Sequence, residues 1–363
     1  MAAIRNPRPR AGPPREAGFG ARPHRPGARG RGPAGVTGGG RGIACAGNWI
    51  LDVIHDIPAW PGKSELVRIG AQVPGLGGGA ANVAAGLAAM GVDYPVVPVG
   101  LIGAGRLGDE LLSLAAGAGL DTARLLRTTA AATSQTHVMN VPGDSRTFFH
   151  HAGANDLLGP EQIDVAGLAA LRLGIFYLGY LNLLEGLDRP GPDGRPVAAR
   201  VLAEAREHGM TTCVDLVSIP RAGYRETVEG VLPEIDVLFL NEIEASRATG
   251  RAIAGPGDRD GMIRAAGMLA AGGVRRAVVL HSAELTVWAE AGDAHVHVPD
   301  PVPEAEIAGA VGAGDAFAAG VMHGLHEGWG REDCADLGSR AAAACLRVPT
   351  ATGGLGPALL KRG

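Results

Sequence analysis

The chain has 363 residues, 46% hydrophobic and 19% charged, enough for one large domain or two modest ones with a buried core. Its formal net charge is −4, but residues 1–42 hold nine arginines, no lysine and a single acid, Glu16, so the remainder is strongly acidic. An acidic body argues against nucleic acid as a partner, because phosphate binding needs a basic surface, and no run of about 18 apolar residues suggests a membrane span.

Residues 1–42 are dominated by Arg, Gly and Pro and lack hydrophobic periodicity. The expectation is a disordered tail. It has no apolar stretch of the kind a secretory signal needs, and its prolines oppose the amphipathic helix of an organelle transit peptide. A dispensable tail, or a start codon placed too early, is the expected reading. The four cysteines, Cys45, Cys213, Cys334 and Cys345, form no CxxC pair and suggest a reducing compartment, with a cytoplasmic location expected.

Ordered sequence is expected from Ile43. GIACAGNWILDVI reads as one buried first strand, and residues 64–74 alternate like a half-exposed strand. GLGGGAANVAAGLAAMG then reads as a glycine turn into an Ala-rich helix. YPVVPVGLIG reads as a strand and RLGDELLSLAAGAG as a helix. Residues 133–151 read as two strands around a Pro-Gly-Asp turn. Strands at GIFYLGYL, TTCVDLV, DVLFL, RRAVVLHS and LTVWAE then alternate with helices, the last at about 332–346. This rhythm predicts an α/β fold, a mostly parallel central sheet with helices on both faces. The extended pieces at about 61–76 and 133–152 break the rhythm and are expected to form a small β-sheet lid.

Four segments carry chemistry. In GAVGAGDAFAAG (309–320), the turn Gly312-Ala313-Gly314 delivers Asp315 to the start of an apolar helix. Orphan amides and the dipole make such a terminus an anion site. A carboxylate there suits transfer of an anion onto a hydroxyl whose proton Asp315 takes; the plain alternative is a helix cap. Gly77-Gly78-Gly79-Ala80-Ala81-Asn82 lets backbone approach a ligand, with Asn82 as donor and acceptor, as polyols require. Asp52, at the end of the first expected strand, is suited to two sugar hydroxyls. Asn241 and Glu244, three apart after DVLFL, share a helix face and are suited to a water-clad Mg²⁺.

With these motifs the chain resembles the ribokinase-like carbohydrate kinases, which include ribokinase, the B-type phosphofructokinases and adenosine kinase. The GGxxAN-type segment at 77–82, NEIE at 241–244 and GAGD at 312–315 fall in that family's order, over about residues 43–350. The resemblance implies one kinase domain over 43–363 and ATP- and Mg²⁺-dependent phosphorylation of a sugar or nucleoside hydroxyl. It further implies Asp315 as base and Gly312, Ala313 and Gly314 as anion hole. Asn241 and Glu244 then serve phosphate and Mg²⁺, with Glu244 acting through water. Asp52, Gly78, Gly79 and Asn82 contact the acceptor, and the lid is a dimer surface in several relatives. Asn155, in a family-like Gly-Ala-Asn, either touches the acceptor or is a turn residue. Gly309-Ala310-Val311 stand where relatives carry Asp-Thr-Thr, so potassium activation does not follow from the resemblance. Tyr180 and Asn182 stand where ribokinases often have a sugar-contacting Glu.

Other readings compete. Gly103–Gly108 fits GxGxxG with Asp121 downstream, but it follows a late strand rather than the first, which weakens a nicotinamide reading. The only lysines are Lys63 and Lys361 and there is no GxxxxGK[ST], which excludes a P-loop nucleotidase. His150 and His151 are neighbours on a strand, so they face opposite ways and cannot share a metal; one of them facing the acceptor is an alternative to the favoured lid-surface role. His295, His297, His323 and His326 read as solvated or core residues. A nucleoside kinase and a sugar-sensing pseudokinase remain as alternatives, the first kept open by Phe148 and Phe149. If residues 1–40 are a dispensable tail, deleting them leaves activity and melting temperature unchanged, which thermal unfolding and an activity assay of the truncated protein would check.

Overall fold

A computed structural model describes residues 40–142, 146–309, 311–348 and 350–361. Most of the expected tail, the centre of the Pro-Gly-Asp turn and Ala310 lie outside the described residues.

The strands are β1 (Ile43–Gly47), β2 (Ile50–Asp56), β3 (Ala71–Gly77), β4 (Val96–Gly103), β5 (Leu125–Thr128), β6 (Gln135–Asn140), β7 (Thr147–His151), β8 (Ile175–Gly179), β9 (Thr211–Asp215), β10 (Val237–Asn241), β11 (Ala277–His281), β12 (Thr286–Glu290) and β13 (Asp293–His297). The longer helices are α1 (Gly79–Met90), α2 (Arg106–Gly117), α3 (Val197–Glu207), α4 (Tyr224–Val231), α5 (Glu242–Thr249), α6 (Arg259–Ala271), α7 (Ala313–His326) and α8 (Arg331–Leu346).

The large sheet runs β13-β12-β11-β10-β9-β8-β1-β4-β5. Pairing is parallel from β5 through β11, and β12 and β13 add an antiparallel edge. Its central strands are apolar on both faces, as a sheet covered on both sides requires. Ile175 and Tyr177 of β8 pack in the core beneath α1, α7 and α8. Phe176 and Leu178 pack in the opposite core, with α3, α4 and α6. The helices α7 and α8 meet so closely that a Cβ on Gly320 would stand 2.9 Å from the Gly338 backbone.

The small sheet runs β3-β2-β6-β7, with β2 and β6 parallel and the outer pairs antiparallel. It includes a strand that the sequence hides. GIACAGNWILDVI is two strands in two sheets, because the chain leaves the large sheet at Gly47 and enters the small one at Ile50. The mainly apolar run marks the crossing only by the short Gly47-Asn48 pair within it. Asp52 therefore sits within β2 of the small sheet, not at the end of a large-sheet strand. The strand expected over 64–74 begins only at Ala71. Leu66 before it is 91% exposed, so the alternating pattern there has nothing to pack against. The strands β5 and β13 and the helix α4 were not anticipated. Among the described residues no helix is long and apolar enough to cross a membrane.

The crossing depends on Gly47. Its φ is 130°, in the region that favours glycine, and it pairs with Gly179 of β8. A Cβ here would lie 1.7 Å from the Gly179 carbonyl oxygen. Gly47→Ala is expected to lower stability by about 3 kcal/mol or more, combining backbone strain with overpacking. Denaturant unfolding of the variant checks this.

Candidate active site

A cleft of about 720 Å³ opens beyond the carboxyl ends of the parallel strands, under the small sheet. This is where open α/β sheets bind ligands. Four successive strands end on it: Tyr180 follows β8, and Asp215, Asn241 and His281 close β9, β10 and β11. Helix starts supply the rest, Asn82 from α1 and Asp315 from α7.

Asp315 is 3% exposed. Its Oδ2 accepts from Asn82 Nδ2 at 2.8 Å. The Tyr180 hydroxyl donates to both carboxylate oxygens, at 2.7 and 2.8 Å. Burial pushes the carboxyl up to about 6, and the bonds from Asn82 and Tyr180 pull against that rise by stabilising the anion. Asp315 belongs to the first turn of α7 rather than preceding it. Gly312, with φ 77°, is the N-cap and makes no side-chain cap, which leaves the orphan donors of that turn for a ligand. Gly312 and Gly314 line the cleft; Ala313 is not among its lining residues.

The small sheet supplies one wall. In register, Asp52 pairs with Thr136, and Thr136 pairs with His150. His150 Nδ1 lies 3.1 Å from Thr136 Oγ1, and Asp52, Thr136, Phe148 and His150 all line the cleft. Of the two histidines it is His150 that faces the cleft rather than the lid surface, because alternation sends it and Phe148 inward and His151 and Phe149 outward. Burial pushes Asp52 up to about 7, while a Thr136 hydrogen bond lowers it and Asp315 raises it. Gly78 also faces the cleft. The Asn82 Oδ1 is buried without a hydrogen-bond partner, an acceptor aimed at no protein donor.

Two expected acceptor contacts do not reach the cleft. Asn155 is fully buried; its Oδ1 accepts from Trp49 N at 3.4 Å and its own N donates to Ser134 Oγ at 3.1 Å. It pins the crossing between the sheets instead. Gly79 is absent from the lining because the Tyr180 ring covers it: a Cβ there would stand 2.8 Å from that ring.

Asn241 and Glu244 form a closed capping box on α5. Asn241 Oδ1 accepts from the backbone N of Ile243 and Glu244, both at 2.9 Å. Glu244 Oε2 accepts from Asn241 N at 2.9 Å, and its Oε1 from Ser218 Oγ at 2.8 Å. Asn241 lines the cleft, and its side-chain oxygen also caps its own helix, so that it holds Glu244 against the cleft. Asn before a helix with Glu three residues on is the signal for this box.

Burial pushes Glu244 up to about 7, against the hydrogen bonds from Asn241 and Ser218; Asp315 adds to the rise. Asp215 is raised well above the usual range, first by burial, then by Glu244 and Asp315. Among the described residues no three His, Cys, Asp or Glu side chains form a metal-holding cluster. Neighbouring acids that disfavour each other's ionisation, without a full protein cage, fit a cation that keeps its waters and takes few carboxylates, as Mg²⁺ does.

Sequence reasoning missed Asp215, Thr136 and Ser218 as cleft residues. For Asp215 the signal was available, an acid closing a buried strand. Asp121, proposed in the nicotinamide alternative, accepts from Ala123 N in a local turn. Neither it nor residues 103–108 line this cleft.

Comparison with known proteins agrees with the geometry. A model of the pfkB family of carbohydrate kinases matches residues 41–355. The adenosine kinase of Saccharomyces cerevisiae is 24% identical over 274 residues, covering 75% of this chain and 77% of that one. The structure of Arabidopsis thaliana ribokinase, complexed with ribose and ATP, superposes with a TM-score of 0.70 at 22% identity, over 89% of this chain and 98% of that one. Adenosine kinase from Sinorhizobium meliloti gives a TM-score of 0.66 at 23% identity, over 88% and 95%. At these identities the solved structures speak for the fold, a large mostly parallel sheet with a separate four-stranded one. The family match runs from just before β1 to beyond α8, and with it the chain belongs to the pfkB family of carbohydrate kinases, a family of phosphotransferases.

Proposed function

We propose that the protein transfers the γ-phosphoryl group of ATP to a hydroxyl of a small carbohydrate, with Asp315 as general base. The observation that carries this is a buried carboxylate, kept ionisable by Asn82 and Tyr180, at the uncapped start of α7.

The acceptor lies between the small sheet and α1. Asp52 accepts from its hydroxyls, and the partnerless Asn82 Oδ1 takes a further one. Asp315 receives the proton of the attacking hydroxyl as the phosphoryl group moves across. The amides of residues 312–315 stabilise charge on the transferring oxygens, the largest contribution that a preorganised site makes. When Mg²⁺ is bound, held through water by Glu244 with Asp215 alongside, it supplies charge neutralisation to the phosphates. The small sheet excludes water that would compete as acceptor. A sensor without catalysis has no need of a base held this way.

A nucleoside acceptor is the second reading. Phe148, 54% exposed, lines the cleft with Ile50 and Leu183, an apolar wall on which a base can lie. ADP release measured across a panel of sugars and nucleosides separates the two and names the acceptor. No ATP-dependent turnover on any of them would overturn the kinase reading.

Asp315→Asn is expected to lower kcat by about 10²–10⁴, the usual worth of a general base, with little change in acceptor KM. A near-normal rate removes Asp315 from the mechanism. Activity should also fall as pH is lowered through 7 to 6. Asp315 ionises near 6 and Asp52 and Glu244 near 7, so the active anions are lost on the acid side well above the range of an exposed carboxylate. A pH profile of kcat/KM with its acid limb near 4 would contradict this.

A further inference from the structure

Tyr180 is the contact of Asp315 that no motif announces. It follows β8, and three separate elements fix it. Its backbone N donates to Asn48 Oδ1 at 2.6 Å, at the joint between the two sheets. Its ring lies over the start of α1, on Gly79, where a Cβ would stand 2.8 Å from Cδ1 and Cε1. Its hydroxyl spans both oxygens of Asp315. A carboxylate accepts about four hydrogen bonds. Tyr180 and Asn82 leave acceptor capacity over for one incoming hydroxyl.

We propose, resting on the kinase reading above, that Tyr180 is a positioning residue for the base: its phenol stays on Asp315 through the reaction, fixing the carboxylate's orientation and holding it as the anion that receives the acceptor's proton. A phenol suits this role because it donates without competing for that proton. Burial, and then Asp315, push its own ionisation far above the usual range, so it remains a donor at every working pH. Asn82 alone reaches only Oδ2, so without Tyr180 the carboxylate keeps a side-chain hydrogen bond at one oxygen only. Gly79 acquires a role from the same geometry. It provides clearance for the ring, which explains a glycine in the GGxxAN segment that touches no ligand space.

The other ionisable groups that share the cleft with Asp315 or act on it include Asp52, Arg146, His150, Tyr177, Asp215, Glu244, His281 and Cys345. All remain in place when the phenol oxygen is removed, so a shift on its removal reports this one contact.

Tyr180→Phe keeps the ring on Gly79 and deletes only the hydroxyl. The protein is labelled with ¹³C at Asp carboxyl carbons, and the Asp315 signal is assigned by its loss in Asp315→Asn. Its titration midpoint is expected to move up by about one pH unit in Tyr180→Phe, the scale of one strong bond to an anion. The acid limb of kcat/KM moves the same way, while acceptor KM stays nearly unchanged. Gly79→Ala crowds the ring off the carboxylate and is expected to shift the midpoint in the same sense, so it carries the test should Tyr180→Phe fail to fold. An unmoved Asp315 midpoint in a folded variant overturns the assignment. The two readings fail separately. A wild-type protein that turns over no sugar or nucleoside sinks the kinase reading while the titration still reads the contact. Turnover with an unmoved titration sinks the role of Tyr180 alone.

Discussion

The structure is organised around one awkward requirement: a carboxylate must be ionisable where almost no water reaches it. An isolated anion there is costly, and the cost falls only if donors are fixed in advance. Asp315 has two such donors from two different elements, Asn82 at the start of α1 and Tyr180 after β8. Placing three helix and strand ends within hydrogen-bond reach demands a rigid frame. The glycine contact between α7 and α8, and the cores on both faces of the large sheet, supply it.

The cleft is rich in buried carboxyl groups that resist ionising together, with Arg146 also on its lining. Asp52, Asp215 and Glu244 join Asp315, and each is raised by burial, with neighbouring acids adding to the rise at Asp52, Asp215 and Glu244. A site with this character favours ligands that bring positive charge or hydroxyl donors, and it disfavours bare phosphates. Polyol recognition at one end and cation-accompanied phosphates at the other are both consistent with it. The helix start at Gly312 adds a patch of positive potential among these acids.

Much of this was legible in the sequence. The βα alternation gave the large sheet, and GAGD, the GGxxAN segment and NEIE marked three of the helix starts that meet at the cleft. What escaped notice did so for physical reasons. The run from Ile43 to Ile54 is apolar apart from Asn48 and Asp52, and the brief Gly47-Asn48 pair, short enough to be read through as strand, is the local mark that it serves two sheets. Asn155 has the type and spacing of a ligand contact, but its burial is decided by tertiary packing around Trp49. Asn241 has two uses compatible with its sequence, and the capping box takes its oxygen. Tyr180 is the opposite case: its neighbours in sequence say nothing of Asp315, and only the closure of the sheet brings them together.

Gly47 and Ile50 are separated by Asn48 and Trp49 alone, and these two residues are the fulcrum between the sheets. Asn48 grips the chain after β8 at both ends of its amide, accepting from Tyr180 N and donating to the Leu183 carbonyl. Trp49 is anchored by its indole to the Val99 carbonyl. The joint of the small sheet thus shares its fastening, Asn48, with the residue that holds the base. Any change in how the two sheets meet would therefore be felt, through Asn48 and Tyr180, at Asp315.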